Sequence, residues 1–365
     1  MPVPWDLPAP EAGPVVRPNA AGLGRSELGL LLTSLGESAW RGGQILSGLL
    51  RQRWTRWEQF SNLSKPLRAR LESEVDLIWP VIVQSQPSAD GSTKHVFDLR
   101  DGRQIEGVHM PYEDRVTLCL SSQVGCAMGC TFCATGQMGI IRNLSAAEIV
   151  GQVVSMLEHH AHPQDRPVNL VFMGMGEPLH NFAHLMAAFE TLTDAEGMAI
   201  PPRRITVSTS GLVSGIDLLG TFARRPRLAL SLNGTTDEDR SRIMPVNRVW
   251  NLEALAQALG RFPLQSGERI TIEYVLLKGV TDRQEDGRRL AAFARRFPAK
   301  VNLIPFNPHE GSGFEPPEEA RIGALCRLLS DAGLPVSVRR SRGQDVTGAC
   351  GQLVRGGQSR HPKSH

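Results

Sequence analysis

An alternation of strand and helix patterns after Asp114 is the feature that most constrains the fold of this 365-residue chain. Short runs of β-branched and aliphatic residues alternate with longer segments in which apolar residues recur every three or four positions. Strands separated by helices pair in parallel through right-handed crossovers, with helices covering the sheet. The expected strands are VTLCLSS, VNLVFMG, RITVSTS, RLALSLN, ITIEYVLL and KVNLIPFN, followed by a final strand in PVSVRR.

The number of these units limits the architecture. Six βα units are too few to close an eight-stranded barrel, so the sequence predicts an α/β fold with a partial, open (βα)6 barrel. Asn251 immediately precedes one of the expected helices and is a residue that commonly caps helix N-termini. Expected helices include AAEIVGQVVSMLEHH, LEALAQALGRF and EEARIGALCRLLSDAG.

The pattern divides the chain into a barrel and four attachments. The barrel is expected over residues 115–340, after a flexible proline-rich lead (1–22), a helical accessory domain (23–76) and a hairpin-rich extension (77–114) with two Asp-Gly turn signals. A glycine-rich C-terminal tail, residues 341–365, follows the barrel and contains the sequence ACGQL.

Polar and glycine residues follow the strands at their C-terminal ends. A cysteine-rich loop follows the first strand and GMGEP (174–178) follows the second. Ser208 and Ser210 end the third strand, Asn233 ends the fourth, and Asn307 ends the sixth. Because the C-terminal ends of parallel strands meet at one rim, we expect these residues to form an active site there.

Three cysteines after the first strand indicate an inorganic centre. Cys126, Cys130 and Cys133 form C-x3-C-x2-C, with Cys119 just upstream as a possible fourth ligand. Thiolates at such spacings hold iron-sulfur clusters, and three of them would leave one iron of a four-iron cluster open for chemistry. A structural zinc site and inert thiols remain the alternatives at this point, although no histidine lies nearby.

Composition narrows the class of protein. The hydrophobic fraction is 41%, the net charge is +3, and no apolar run approaches the roughly 18 residues of a membrane span. Six cysteines at metal-type spacing fit a reducing compartment better than a disulfide scaffold. We therefore expect a cytoplasmic enzyme with no membrane partner, whose mildly basic charge permits a nucleic-acid partner.

The motifs resemble those of a known family. C-x3-C-x2-C after the first strand and GMGEP after the second resemble radical S-adenosylmethionine (SAM) enzymes, and AWRGGQIL with SNLSKPLRARL resembles an accessory helical domain. A longer set is similar to the RlmN-type methyltransferases, which methylate carbon 2 of an adenine in 23S ribosomal RNA and of the adenine that follows the tRNA anticodon. That set is CLSSQVGC, CATGQMG, RNLSAAEIVGQV, MGMGEPL, STSG, NLIPFNP and ACGQL.

The resemblance implies cofactors and residue roles. It implies a [4Fe-4S] cluster on Cys126, Cys130 and Cys133, and two SAM molecules per turnover, one as methyl donor and one as radical source. It implies that Cys350 carries the methyl group and that Cys119 then forms a disulfide with Cys350 to release the RNA. Glu106 matches the proton acceptor. The implied SAM contacts are Gly176, Glu177, Ser208, Ser231, Leu232, Asn233 and Asn307.

One departure concerns Asn233, which stands in SLNGTT where many members of the family have histidine. Asparagine offers a hydrogen-bond donor and acceptor but carries no proton, so we expect binding without acid-base work. The resemblance also implies an electron donor such as a flavodoxin system, and we expect a monomer.

Two alternatives to carbon 2 methylation remain. One is the related enzyme type that methylates carbon 8 of the same ribosomal adenine, and the other is a non-catalytic zinc RNA-binding module.

Three further groups have simpler interpretations. Cys326 is expected in the core, and His159, His160 and His162 are expected at a solvated helix end. Arg339-Arg340 is one of several basic pairs that could bind phosphate.

Overall fold

A ten-stranded sheet organises the computed structural model, which describes residues 17–354. In chain order the strands are β1 (Val81–Pro87), β2 (Thr93–Asp98), β3 (Gln104–Pro111), β4 (Val116–Cys119), β5 (Gln123–Gly125), β6 (Ile140–Asn143), β7 (Val168–Phe172), β8 (Ile205–Thr209), β9 (Arg227–Ser231), β10 (Ile270–Leu276), β11 (Ala299–Pro305) and β12 (Val336–Val338).

Helices cover this sheet and form the N-terminal region. They are α1 (Arg25–Ser34), α2 (Arg41–Leu50), α3 (Lys65–Glu74), α4 (Ala134–Gln137), α5 (Ala146–His159), α6 (Phe182–Thr193), α7 (Val213–Gly220), α8 (Asp237–Ile243), α9 (Leu252–Arg261), α10 (Gln284–Ala294) and α11 (Glu319–Asp331). None of the helices described between residues 17 and 354 is long and apolar enough to cross a membrane.

The strand order confirms the predicted partial barrel. Strands β4, β7, β8, β9, β10, β11 and β12 are parallel neighbours in that order, so six βα units lead to the final strand. These strands are rich in aliphatic residues, which is typical of parallel strands with helices on one face and a barrel interior on the other.

The hairpin-rich extension is part of the same sheet. Strand β2 pairs antiparallel with both β1 and β3, and β3 pairs antiparallel with β4. Gly91 and Gly102, at the two Asp-Gly turns, have φ of 82° and 76°, the left-handed region that glycine adopts without strain. The extension therefore lengthens the barrel wall beyond the first parallel strand.

Residues 17–22 differ from the flexible segment that their place in the proline-rich lead predicts. The Ala20 N–H donates to the Asp76 carbonyl at 2.9 Å, and the Asp76 N–H donates to the Pro18 carbonyl at 2.9 Å. Ala20 and Ala21 are buried in a short 3-10 turn. The rest of the expected lead, residues 1–16, lies outside the described part of the chain.

The accessory helices pack closely on one another and on the barrel. A Cβ at Gly42 of α2 would lie 2.8 Å from the Gly29 nitrogen of α1, so glycine permits the close approach of these helices. Arg51, after α2, donates from Nε to the Gly197 carbonyl at 2.9 Å. The buried side chains of the module include Leu28, Leu32, Ile45, Leu46, Leu49 and Phe60.

The predicted cap on α9 allows a direct test. The Asn251 side chain accepts from the Ala254 N–H at 2.9 Å, so Asn251→Ala should lower the free energy of unfolding by about 1 kcal/mol. Asn251→Ser keeps an acceptor and should lose much less, as measured by urea denaturation followed by circular dichroism. An equal loss in both variants would show that the cap does not stabilise the helix.

Candidate active site

The cysteine loop is held by a short hairpin that sequence reasoning did not predict. Strands β5 and β6 pair antiparallel and bracket the loop, and the Cys126 N–H donates to the Gly139 carbonyl at 2.9 Å. At Gly125, φ is 77° and a Cβ would lie 2.0 Å from the Gly139 oxygen, so only glycine fits. The hairpin therefore fixes the start of the loop before its first thiol.

The predicted rim residues line one cavity. Strands β4, β7, β8, β9 and β11 bring them together from separate parts of the chain, as the parallel order requires. The lining includes Cys126, Cys130, Cys133, Gly176, Glu177, Ser208, Ser231, Asn233, Asn307 and Cys350.

Three predicted residues do not line this cavity. The Leu232 side chain is fully buried beneath the rim, and its N–H donates to the Glu273 carbonyl at 3.0 Å. Cys119 and Glu106 are also buried. The structure therefore separates Leu232, whose side chain belongs to the core, from its neighbours Ser231 and Asn233 at the cavity.

The three loop thiols have the donor chemistry of a metal cluster. Burial and the neighbouring thiols hold the pKa of Cys126 and Cys130 well above the usual range, and burial also raises the pKa of Cys133. Thiolates in such a place need the positive charge of a metal centre, which stabilises the deprotonated form. These residues therefore fit a ligand set and do not fit isolated reactive thiols.

The spread of the thiols argues against a single zinc ion. Zinc-sulfur bonds of about 2.3 Å place tetrahedral ligands only about 3.8 Å apart. Within residues 17–354, the one group of three metal-type ligand atoms that all lie within 4.8 Å of one another is made of histidines, not of these cysteines. The wider cysteine spacing suits a cluster of several metal ions.

Glu177 places a carboxylate in the wall of the cavity. It follows β7, is buried, and accepts from the Ser210 N–H at 2.7 Å and the Leu179 N–H at 3.2 Å. Burial raises the pKa of this carboxyl, although its hydrogen bonds lower it. A cationic ligand group in the cavity would therefore gain from the charge of Glu177.

The remaining rim side chains already make hydrogen bonds within the protein. The Ser208 and Ser231 hydroxyls lie 3.2 Å apart. Asn233 has φ of 51°, a left-handed conformation that asparagine tolerates, and its Oδ1 accepts from the Val275 N–H at 2.8 Å. Asn307 donates to the Ser341 Oγ and to the Cys350 carbonyl. Both asparagines thus also hold the protein's own backbone in place.

The C-terminal segment, residues 341–354, lies across the rim and brings Cys350 to the cavity. The Gly351 carbonyl accepts from the Ala134 N–H at 2.8 Å, directly after the cluster loop. Gln352 donates to the Pro308 carbonyl at 2.8 Å. The contacts come from loops that follow different strands, so the seating of Cys350 depends on the complete rim.

Arg339 is the charged group between the two cysteines that the resemblance singled out. Cys350 and, less strongly, Cys119 raise the pKa of Arg339. Burial and then Cys350 raise the pKa of Cys119 to about 12, although Arg339 acts in the opposite direction. Cys119 and Cys350 are both free thiols here. Arg339 therefore stabilises negative charge on either sulfur.

Sequence reasoning treated Arg339 only as half of a basic pair that could bind phosphate. The structure instead turns Arg339 toward the cavity, where it also lies 3.6 Å from Glu273. Arg340 points outward to Glu319. The position of Arg339 just after the last parallel strand was the available signal, because the other rim residues occupy the same place on their strands.

Glu106 lies on β3, next to the C-terminal segment and outside the cavity wall. Its carboxylate forms an ion pair with Lys94 at 3.3 Å and accepts from the Val354 N–H at 3.1 Å. Lys94 also donates to Thr347 at 2.8 Å. Sequence reasoning found Glu106 by resemblance but missed Lys94, whose pairing depends on the antiparallel register of β2 and β3.

Arg240, on α8, is a second buried arginine that the sequence did not reveal. It donates to the Leu232 carbonyl at 2.9 Å and to the Ser210 carbonyl at 2.5 Å. Its charge also lowers the pKa of Cys130, against the larger effect of burial. Arg240 therefore joins the ends of two neighbouring strands beneath the cavity.

Similarity to known proteins agrees with this geometry. Residues 120–291 match the Radical SAM superfamily, and residues 18–77 match the ribosomal RNA large subunit methyltransferase N-terminal domain. The chain is 45% identical over 366 residues to the dual-specificity RNA methyltransferase RlmN 2 of Myxococcus xanthus, covering 98% of this chain and 96% of that protein. The chain belongs to the RlmN family.

Other RlmN relatives and a solved structure extend the comparison. The RlmN of Geobacter sulfurreducens is 45% identical over 335 residues, 91% of each chain. A crystal structure of a radical SAM methyltransferase from Sphaerobacter thermophilus is 40% identical, with a TM-score of 0.88, and the match covers 92% of this chain and 99% of that chain. Membership of the family means that this protein is an enzyme with a [4Fe-4S] cluster and SAM as cofactors, which removes the non-catalytic zinc module.

The raised pKa of Cys119 predicts the pH dependence of its alkylation. Only the thiolate reacts with iodoacetamide, so the rate at Cys119 should keep rising, about tenfold per pH unit, from pH 7 to pH 10. Arg339→Gln should slow the reaction further, because Arg339 favours the thiolate. Peptide mass spectrometry of the cluster-loaded protein measures both effects.

Arg340→Gln is the matched control for this experiment, since Arg340 pairs with Glu319 at the surface. A rate that levels off near pH 8, or an equal slowing in the Arg340 variant, would contradict the assigned electrostatics.

Proposed function

We propose that this enzyme methylates carbon 2 of an adenine in RNA and that Cys350 carries the methyl group. The main support for this proposal is the position of Cys350, which lines the same cavity as the three loop cysteines and Glu177. A methyl carrier must face both the cofactor that loads it and the base that receives its carbon, and one shared cavity provides this.

The substrates are proposed from the relatives. Proteins at 45% identity over most of this chain are named dual-specificity RNA methyltransferases. We propose the same two targets here, an adenine of 23S ribosomal RNA and the adenine that follows the tRNA anticodon. The target base must leave its stack to reach the cavity.

The residues that hold the cofactors follow from the lining. Cys126, Cys130 and Cys133 would ligate the cluster, and Glu177 would receive the ammonium group of SAM. The Ser208 and Ser231 hydroxyls offer further polar contacts in the cavity lining. When bound, the cluster would supply the electron for radical chemistry with one SAM, and another SAM would be the methyl donor.

Cys350 begins as the nucleophile. Its sulfur would attack the methyl carbon of one SAM as a thiolate, which breaks the carbon–sulfonium bond and releases S-adenosylhomocysteine. Arg339 stabilises the negative charge of that thiolate. Methylation converts the thiolate to a neutral thioether, and the negative charge beside Arg339 is lost.

Cys119 acts after this change of charge. The charge of Cys350 is one cause of the raised pKa of Cys119, so the loss of that charge makes the Cys119 thiolate easier to form. Once the methyl carbon on Cys350 has lost a hydrogen and bonded to carbon 2 of the base, Cys119 would attack the Cys350 sulfur, break the sulfur–carbon bond and form a Cys119–Cys350 disulfide. The electron pair of the broken bond passes to the base, and a proton then completes the new methyl group. An external thiol reductant must return the disulfide to two thiols before another turnover.

Glu106 is the proposed acceptor of the proton from carbon 2. Its carboxylate is held beside Lys94 and reaches the C-terminal segment through Val354. Glu106 does not line the cavity. When RNA is bound, Glu106 must therefore approach the carbon that links the Cys350 sulfur to the base.

The oligomeric state, the cellular compartment and the electron donor are also proposals. The enzyme works as a monomer in the cytoplasm and receives electrons from a donor such as a flavodoxin system.

The position of the methyl group tests the proposed reaction. RNA from a strain that carries only this enzyme should contain 2-methyladenine in 23S ribosomal RNA and in tRNA, as mapped by mass spectrometry of nuclease fragments. A deletion strain should lack both marks. An 8-methyladenine product would overturn the assignment in favour of the carbon 8 type of enzyme.

The two cysteines should fail at different steps. Cys119→Ala should stop after the bond to RNA forms, leaving RNA covalently attached to the protein on denaturing gels. Cys350→Ala should form neither adduct nor methylated base, whereas Cys326→Ala, on α11, should retain activity. Free methylated RNA over many turnovers of Cys119→Ala would contradict the resolving role.

A further inference from the structure

Four histidines from three elements meet on the face of the extension that packs against α5. His95 lies on β2, His109 on β3, and His159 and His160 at the C-terminal end of α5. His95 and His109 are buried, and His160 stacks on His109 with ring centroids 3.7 Å apart. The structure places His159 at the expected solvated helix end and leaves His160 half-buried against His109, whereas the expectation is wrong for His162, which is buried.

The ring nitrogens converge as metal ligands do. His95, His159 and His160 each offer a nitrogen within 4.8 Å of the other two, and Nε2 of His95 lies 2.9 Å from Nε2 of His160. Zinc-nitrogen bonds of 2.0–2.1 Å place tetrahedral ligands about 3.3 Å apart. The nitrogens of His95 and His160 would have to separate by about 0.4 Å to reach this spacing. The nitrogen of His159 lies within 4.8 Å of both.

The surroundings hold the rings in the required orientation. Nδ1 of His95 lies 2.9 Å from the Ser85 Oγ, an outer hydrogen bond of the kind that orients metal-binding histidines. His109 stacks on His160 and restricts its tilt, while the buried Nδ1 of His109 has no hydrogen-bond partner. The Ser85 Oγ also lies 3.4 Å from Nε2 of His159, so one hydroxyl contacts two of the three proposed ligands.

The charge state also suits a metal. Burial, and then the neighbouring histidines, lower the pKa of both His95 and His109 to about 3. Burial and His159 lower the pKa of His160 as well. Neutral imidazole is the form that binds metal.

We propose that His95, His159 and His160 bind one divalent transition-metal ion of the zinc type, with water completing the coordination. The ion joins β2 to the C-terminal end of α5. Strand β2 also carries Lys94, on its opposite face, where it pairs with Glu106 and Thr347. The metal therefore fixes the strand against which the C-terminal segment rests, at a site separate from the cluster cysteines.

The test uses zinc as the probe on the full-length, cluster-loaded enzyme. After incubation with zinc chloride and anaerobic gel filtration, we expect one zinc per chain by elemental analysis. Zinc-edge X-ray absorption should give nitrogen and oxygen neighbours near 2.0–2.1 Å with no sulfur shell near 2.3 Å. His159→Ala changes an exposed ligand and should lose the bound zinc while the iron content stays constant.

Controls separate the site from general histidine binding. His162→Gln removes a nearby histidine whose Nε2 contacts the Arg166 carbonyl, and it should keep the zinc. His95→Gln should lose it, and the His159 variant preserves the test if the buried substitution impairs folding. Three results would overturn the proposal: no zinc retained, zinc coordinated by sulfur, or zinc content unaffected by His159→Ala. The contact between His95 and His160 would then be a hydrogen bond between their ring nitrogens.

Discussion

The hydrogen bonds that hold residues 341–354 across the rim are the constraint on which the site depends. Asn307 binds the Cys350 carbonyl, Ala134 binds the Gly351 carbonyl, and Glu106 receives the Val354 N–H. Each bond contributes on the order of 1 kcal/mol, so the position of Cys350 depends on several elements at once. The loop that contains Cys126, Cys130 and Cys133 and the segment that contains Cys350 are therefore held together by the same contacts.

The electrostatics of the site show which positive groups its buried thiols need. Burial holds Cys119, Cys126 and Cys130 in the protonated form, so each needs a positive partner to react or to bind. A metal cluster supplies that charge to the loop thiols, and Arg339 supplies it to Cys119 and Cys350. The order of the proposed steps follows, because methylation of one sulfur changes the acidity of the other.

Local sequence patterns predicted the barrel strands and the rim positions, but not the short hairpin or the contacts between distant segments. Apolar strand runs and the N-cap at Asn251 predicted the barrel, and strand-end positions predicted the rim residues. The β5–β6 hairpin is too short to give a periodic signal. The roles of Arg339 and Lys94, and the meeting of His95 with His160, depend on contacts between distant segments. Such contacts come from sheet register and helix packing, which no local pattern encodes.

The location of the transferred methyl group tests directly whether Cys350 is the methyl carrier. The cluster-loaded enzyme would be incubated with SAM bearing a trideuterated methyl group, without RNA, and then digested for peptide mass spectrometry. The account predicts one labelled methyl group on the peptide that contains Cys350 and none on the peptide that contains Cys119. A label on Cys119, or an unlabelled Cys350 in enzyme that still methylates RNA, would contradict it.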